Sequence, residues 1–201
     1  MADKYTDFAA LELGERLGAD YRIRLTDRAS PVVVLAPHGG YIEPGSSQIA
    51  EAIAGDDLTI YCFEGLIPGR PHSDLHITSH RFDEPSAISL LAAAETVIAV
   101  HGRADDGDGK TVWMGGRDLH LRDAIASSLV ASNFPAATSG HRLTGSEITN
   151  ICNRGVRRSG VQLEIPRTLR DQLVRERAAL RRFTDAVRAV LAISTATTNG
   201  A

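Results

Sequence analysis

Val32-Val33-Val34-Leu35 runs directly into Ala36-Pro37-His38-Gly39-Gly40-Tyr41-Ile42-Glu43-Pro44-Gly45. An unbroken apolar run ended by a turn signal predicts a strand, Val32 to Ala36, buried on both faces. It stops at a His-Gly turn. Val97-Ile98-Ala99-Val100-His101-Gly102 repeats the pattern. Strands of this kind belong to sheets covered by helices. In an open α/β sheet the C-terminal ends of neighbouring strands face one crevice, where ligands bind.

Outward from these two runs, helical and extended patterns alternate. Phe8 to Leu17 is amphipathic and reads as a helix, and Tyr21 to Leu25 alternates like an edge strand. Helices are predicted over Pro44 to Ala54, Pro85 to Ala94 and Asp118 to Ser132. Strands are predicted over Leu58 to Phe63, Thr96 to Val100, Thr111 to Met114 and Val161 to Ile165, with a short extended piece from Leu75 to Thr78. Gly65 to Asp74 reads as a loop. A long helix is predicted from Thr168 to Ile193, with Leu169, Leu173, Leu180, Val187 and Leu191 on one stripe. The expected architecture is one α/β domain over residues 1–201: a mixed, mostly parallel sheet with helices on both faces, and a frayed tail from Ser194 to Ala201.

Composition excludes several classes. The chain has 201 residues, 43% of them hydrophobic, and a net charge of −3, which suits one sizeable core and no global attraction to nucleic acid. No apolar run reaches the roughly 20 residues of a membrane span. The polar start Met1-Ala2-Asp3-Lys4-Tyr5-Thr6-Asp7 is unlike a signal peptide, so a cytoplasmic location is expected, with release by lysis if the gene is of phage origin. Cys62 and Cys152 form no CxxC pair and read as reduced, buried thiols. Oligomeric state is not legible.

The strand ends carry the chemistry. His38 and His101 offer two nitrogens and Glu43, five positions after His38, can fold back over the turn to offer one oxygen. Two nitrogens, one oxygen and one position left for water make the ligand set of a catalytic zinc site. The competing reading is two hydrogen-bonded strand-end histidines and a solvated glutamate. Further on, Val161-Gln162-Leu163-Glu164-Ile165-Pro166 places Glu164 near a strand end, on the face opposite Val161, Leu163 and Ile165. A carboxylate there can take a proton from a metal-activated water and return it to a leaving amine. Arg154, followed by a glycine, can reach into the crevice to stabilise an oxyanion or bind a carboxylate.

Pro37-His38-Gly39-Gly40 with Ile42-Glu43, Leu75 to Pro85, Val100-His101-Gly102, Asn150-Ile151-Cys152-Asn153-Arg154-Gly155 and Gly160 to Glu164 together resemble the phage-type poly-γ-glutamate hydrolase family. The blocks keep the family's order from about residue 32 to residue 166. The resemblance implies a zinc-exopeptidase-like fold, one zinc per chain on His38, Glu43 and His101, and Glu164 as general base. Four residues separate His38 from Glu43, against two in the zinc carboxypeptidases proper, which favours the hydrolase family. His76 and Asn153 lie in matched blocks and are substrate-binding candidates.

The implied reaction is cleavage of γ-glutamyl amide bonds in poly-γ-glutamate. Such a polymer carries a free carboxylate on every residue and calls for cations around the crevice. Of the ten arginines between Arg154 and Arg188, those nearest Glu164 in sequence, Arg154, Arg157 and Arg158, are the candidates. A zinc peptidase or amidase acting on another peptide or acyl-amino-acid is the alternative. A nucleic-acid or partner surface on the arginine-rich helix is a third reading, opposed by an aromatic content of 5%.

Overall fold

The computed structural model describes residues 2–198, with the backbone alone described for 194–198. In chain order the elements are α1 (Phe8–Gly14), β1 (Tyr21–Thr26), β2 (Val32–Gly40), α2 (Ser46–Ala54), β3 (Thr59–Gly65), α3 (Pro85–Leu91), β4 (Thr96–Arg103), β5 (Val112–Gly116), α4 (Leu119–Ala131), β6 (Ala136–Ala137), β7 (Val161–Pro166), α5 (Arg167–Arg175) and α6 (Arg177–Thr198). The last helix runs into the stretch expected to fray, and residues 199–201 of that tail lie outside the described residues.

The seven strands form one sheet in the order β1-β3-β2-β4-β7-β5-β6. β3, β2, β4 and β7 are parallel. β1 adds to β3 and β5 adds to β7 antiparallel. The chain leaves β2 to one side for β3 and returns to its other side for β4. The topological switch point therefore lies between β2 and β4, where open α/β sheets bind their ligands.

Alternation sorts the central strands onto two cores. Val32, Val34, Ala36, Ile98, Val100, Val161, Leu163 and Ile165 pack against α2, α4, α5 and α6. Val33, Leu35, Val97 and Ala99 face the opposite way, against α1, α3 and the buried residues Leu75, Ile77, Phe82 and Ile151. This arrangement puts Gln162 and Glu164 on the second face, as strand periodicity requires.

Three local readings differ from expectation. β2 and β4 continue past their apolar runs, so His38 and His101 are strand residues rather than turn residues. Leu75 to Thr78 joins no strand; it is irregular chain that buries Leu75 and Ile77. The single C-terminal helix is two helices broken at Glu176, whose backbone is extended. The buried positions explain the break: Leu169 and Leu173 are followed by Ala179, Phe183 and Val187. Leu173 and Ala179 are six apart, which on a straight helix turns the second apolar set about 120° off the first. Interrupting the helix lets both sets meet the sheet.

Candidate metal centre

β2 and β4 deliver His38 and His101 to adjacent strand ends. β2 holds a bulge there: Ala36 opposes Cys62 and Gly39 opposes Glu64, so one extra residue sits in β2. A one-residue insertion reverses the side-chain phase. Without it, His38 would follow Val34 and Ala36 into the α2 side of the sheet. With it, His38 lies against Phe82, on the same face as His101. The turn that follows closes through the Glu43 N–H, which donates to the His38 carbonyl at 2.9 Å, and brings the Glu43 side chain back over the strand end.

The three side chains converge. His38 donates from Nε2 to the Ile77 carbonyl at 2.8 Å, which leaves Nδ1 as a lone pair in the neutral ring. That Nδ1 lies 3.2 Å from His101 Nδ1 and 3.3 Å from Glu43 Oε1. His101 Nδ1 lies 3.8 Å from Glu43 Oε2, which also accepts the Gly102 N–H at 2.7 Å. Donor atoms 2.0–2.1 Å from a tetrahedral zinc are roughly 3.3 Å apart, so the spacing fits one such ion. The electrostatics fit it too. A carboxylate facing an imidazole lone pair is unfavourable until a cation lies between them, and an outward N–H on a carbonyl is how a ligating histidine is held.

All three groups are buried. Burial pushes His101 down to about 3, with His38 and His76 repelling its charge, so the ring is neutral and ready to ligate.

His76 offers a second grouping, its ligand atom lying with those of His38 and Glu43 within 4.8 Å of one another. Ring geometry favours His101. The His76 ring lies tilted against His38 at 4.0 Å between centroids and its Nδ1 is engaged by Asp3 Oδ1 at 2.6 Å. The rings of His38 and His101 are 5.1 Å apart, which leaves room for an ion between their inner nitrogens.

Glu164 opposes His101 across the β4–β7 ladder. Its Oε1 accepts from Gln162 Nε2 at 2.9 Å, and Gln162 Oε1 accepts from Asn150 Nδ2 at 3.0 Å. Burial, with the charge of Glu43 second, pushes Glu164 up to about 8. His38, Glu43, His76, His101 and Glu164 line one open cavity of about 740 Å³.

The arginines expected at this site lie elsewhere. Arg154 and Arg158 line a separate surface groove beside Ile88 and Val156, and Arg154 Nε donates to the Thr149 carbonyl at 2.9 Å. Arg157 pairs with Glu95 at 3.2 Å. Asn153 is fully buried; its Nδ2 donates to the carbonyls of Gly145 and Glu147, both at 2.8 Å, so it shapes the loop behind the cavity wall without lining the cavity. The reason is polarity of the strand. β7 runs toward the site, so residues just before it sit at its far end and residues just after it sit at the cavity. The cations there are Arg167 and Arg170 of α5, with Arg103 and Arg142.

Sequence reasoning missed Arg170. It also gave no role to His72, whose Nε2 lies 3.6 Å from Glu43 Oε1 at the cavity rim. One signal for Arg170 was present. Gly102 stands where a Cβ would come within 1.1 Å of Arg170 Nη1, so the glycine after His101 makes room for that guanidinium. Cys62 and Cys152 are buried and unpaired, and burial raises both thiols, Cys62 to about 12.

Residues 5–191 match the model of the poly-gamma-glutamate hydrolase family. The chain belongs to that family. The SPbeta prophage-derived UPF0714 protein YoqZ of Bacillus subtilis (strain 168) is 40% identical over 167 residues, which are 82% of this chain and 59% of YoqZ. This chain thus spans about three-fifths of the length of that relative. Among solved structures, a bacteriophage poly-gamma-glutamate hydrolase superposes with a TM-score of 0.91 at 29% identity, over 98% of this chain and 100% of the phage enzyme. Zinc-free apo YndL superposes with a TM-score of 0.86 at 32% identity, over 96% and 98% of the two chains. The family's α/β architecture with a mixed sheet is the one described above.

Proposed function

We propose that this chain hydrolyses γ-glutamyl amide bonds of poly-γ-glutamate, using one zinc ion on His38, Glu43 and His101 and Glu164 as general base. One observation carries the reading: two imidazole nitrogens and a carboxylate converge at tetrahedral-ligand spacing, opposite a buried glutamate, in an open cavity of about 740 Å³.

Zinc held there supplies Lewis acidity, polarising the scissile carbonyl and lowering the pKa of water to about 7. The chain's own groups supply the rest. The Ile77 carbonyl and the Gly102 N–H hold His38 and Glu43 in their ligating orientation. Glu164 accepts a proton from the attacking water as its oxygen bonds the carbonyl carbon. The C–N bond then breaks, and Glu164 passes that proton to the departing nitrogen, leaving a free amine and a carboxylic acid that releases its proton to solvent. A carboxyl raised to about 8 is a base of useful strength near neutral pH, and a nearby cation moves it down toward that range. Gln162 aims it by holding one oxygen.

The choice of an anionic polymer rests on the family and on the arginines of the cavity, Arg103, Arg142, Arg167 and Arg170. The test is to load purified protein with zinc, determine metal content, and follow the length of γ-linked and α-linked polyglutamate. About one zinc per chain and shortening of the γ-linked polymer support the proposal. Zinc binding with cleavage of ordinary peptides alone would favour a peptidase, and no zinc binding would remove the mechanism.

A further inference from the structure

Two buried arginines border the cavity, and they are used differently. Arg103 donates to four main-chain carbonyls, those of Ala104, Asp105, Asp108 and Thr111, at 2.7–2.9 Å, and lies on the Trp113 ring. It clamps the loop between β4 and β5. Arg170 is 4% exposed and makes one long contact, Nη2 to the Arg103 carbonyl at 3.4 Å. Its Nε and Nη1 have no partner, and no carboxylate among the described residues pairs with it.

A guanidinium does not shed its charge, and buried donors left unpaired are costly. Nε shares one edge of the fork with Nη2 and Nη1 shares the other, and Nη2 spends one of its two hydrogens on the Arg103 carbonyl, so an open donor together with Nη2 matches the two oxygens of a carboxylate. The group is also well placed. Its Nη1 lies against Gly102, the residue after His101, whose N–H holds Glu43. An anion on Arg170 therefore sits beside the proposed reacting bond.

The chemistry of the substrate gives this position a meaning. In a γ-linked chain, the carbon bonded to each scissile nitrogen carries a free carboxylate. In an α-linked chain that carbon carries the next backbone carbonyl, and the free carboxylate is two methylenes further out. Only the last residue of an α-linked chain presents the γ-type pattern.

We propose that Arg170 binds the free carboxylate on the carbon next to the scissile nitrogen, and so selects γ-linked chains at internal bonds. This rests on the γ-glutamyl reading above. The test compares three tetramers with zinc-loaded protein: γ-linked glutamate, the same chain with its α-carboxylates as amides, and α-linked glutamate. The free γ-linked acid should be cleaved about 100-fold faster, in kcat/KM, than the amide, because the site then leaves a charged donor pair unfilled. The α-linked tetramer should be cut at its last bond only. In the Glu164→Gln background, which holds substrate uncut, adding Arg170→Gln should weaken binding of the acid at least about 30-fold and leave the amide within about 3-fold. Arg170→Lys, which keeps the charge but loses the fork, should fall between. Equal cleavage of acid and amide by the wild type, or equal weakening of both by Arg170→Gln, overturns the proposal and leaves the γ-glutamyl reading standing. No cleavage of any γ-linked tetramer overturns that reading first.

Discussion

The two walls of the cavity differ in how nearly complete they are. On the strand-end wall, His38, Glu43 and His101 each have a partner on their outer side and turn their remaining donor atoms toward one point. On the opposite wall, Gln162 aims Glu164, but Arg170 keeps two donors unfilled. Under the proposed function, the first wall would hold the ion with or without substrate, and the second would be completed by the substrate's carboxylate. The metal's affinity is then separate from the choice of polymer, and variants on the two walls should fail differently.

The largest effect is expected from His101→Ala. It should remove zinc and lower kcat/KM by at least about 10³-fold, since both chemistry and charge stabilisation are lost together. Metal analysis beside a depolymerisation assay checks this, and full zinc with near-normal turnover would dissolve the strand-end wall as a metal site. Glu164→Gln should lose about 10²–10⁴-fold in kcat and keep its zinc, the expected cost of removing a positioned base. If activity survives, the base lies elsewhere on the second wall.

Gly102→Ala sharpens the contrast. Its methyl would meet Arg170 Nη1 at 1.1 Å and push the guanidinium aside. The expected result is a drop of roughly 10–100-fold in kcat/KM, borne mainly by KM, with zinc retained. Loss of zinc would mean that the strand end itself had moved.

On metal-free protein, the difference between wild type and Glu164→Gln across a pH series reads Glu164, because the lowered His76 and His101 act in both proteins. Its carboxyl goes from 4.5 to about 8 on folding. Between those values the folded chain keeps a proton that the unfolded chain has released, so this group's contribution to stability falls as pH rises and levels off above about 8. Glu164→Gln removes that fall. Calorimetric melts between pH 5 and pH 9 should show the Tm of the wild type falling relative to that of the variant, and parallel curves would place the raised carboxyl elsewhere. The smallest effect belongs to Arg154→Ala, which should leave kcat/KM within about 2-fold because that side chain lines a different groove. A large loss there would mean that substrate reaches beyond the cavity.

Much of the architecture was readable along the chain. The apolar runs at residues 32–36, 97–100 and 161–165 are strands, and the candidate groups lie in or just after them: His38 and His101 at two strand ends, Glu43 in the turn after the first, and Glu164 in the third. Periodicity also set the face of Glu164, since Val161, Leu163 and Ile165 must enter the core. These features are local: side-chain alternation, apolar runs and the chemistry of nitrogen and oxygen donors do not depend on what lies across the sheet.

Other features belong to the assembled molecule. The phase of His38 depends on a bulge that exists only against β3. The helix break at Glu176 depends on two apolar sets meeting one sheet at different angles. The site's cation was sought just before β7 because sequence distance to Glu164 is short there, whereas the direction of the strand puts residues after β7 at the cavity. Arg170 lies there with two unfilled donors, over a glycine 68 positions earlier in the chain. Local pattern thus marked which groups are candidates for the chemistry; the pairing and polarity of the strands decided which of them meet, because only tertiary contacts bring distant residues within hydrogen-bond reach.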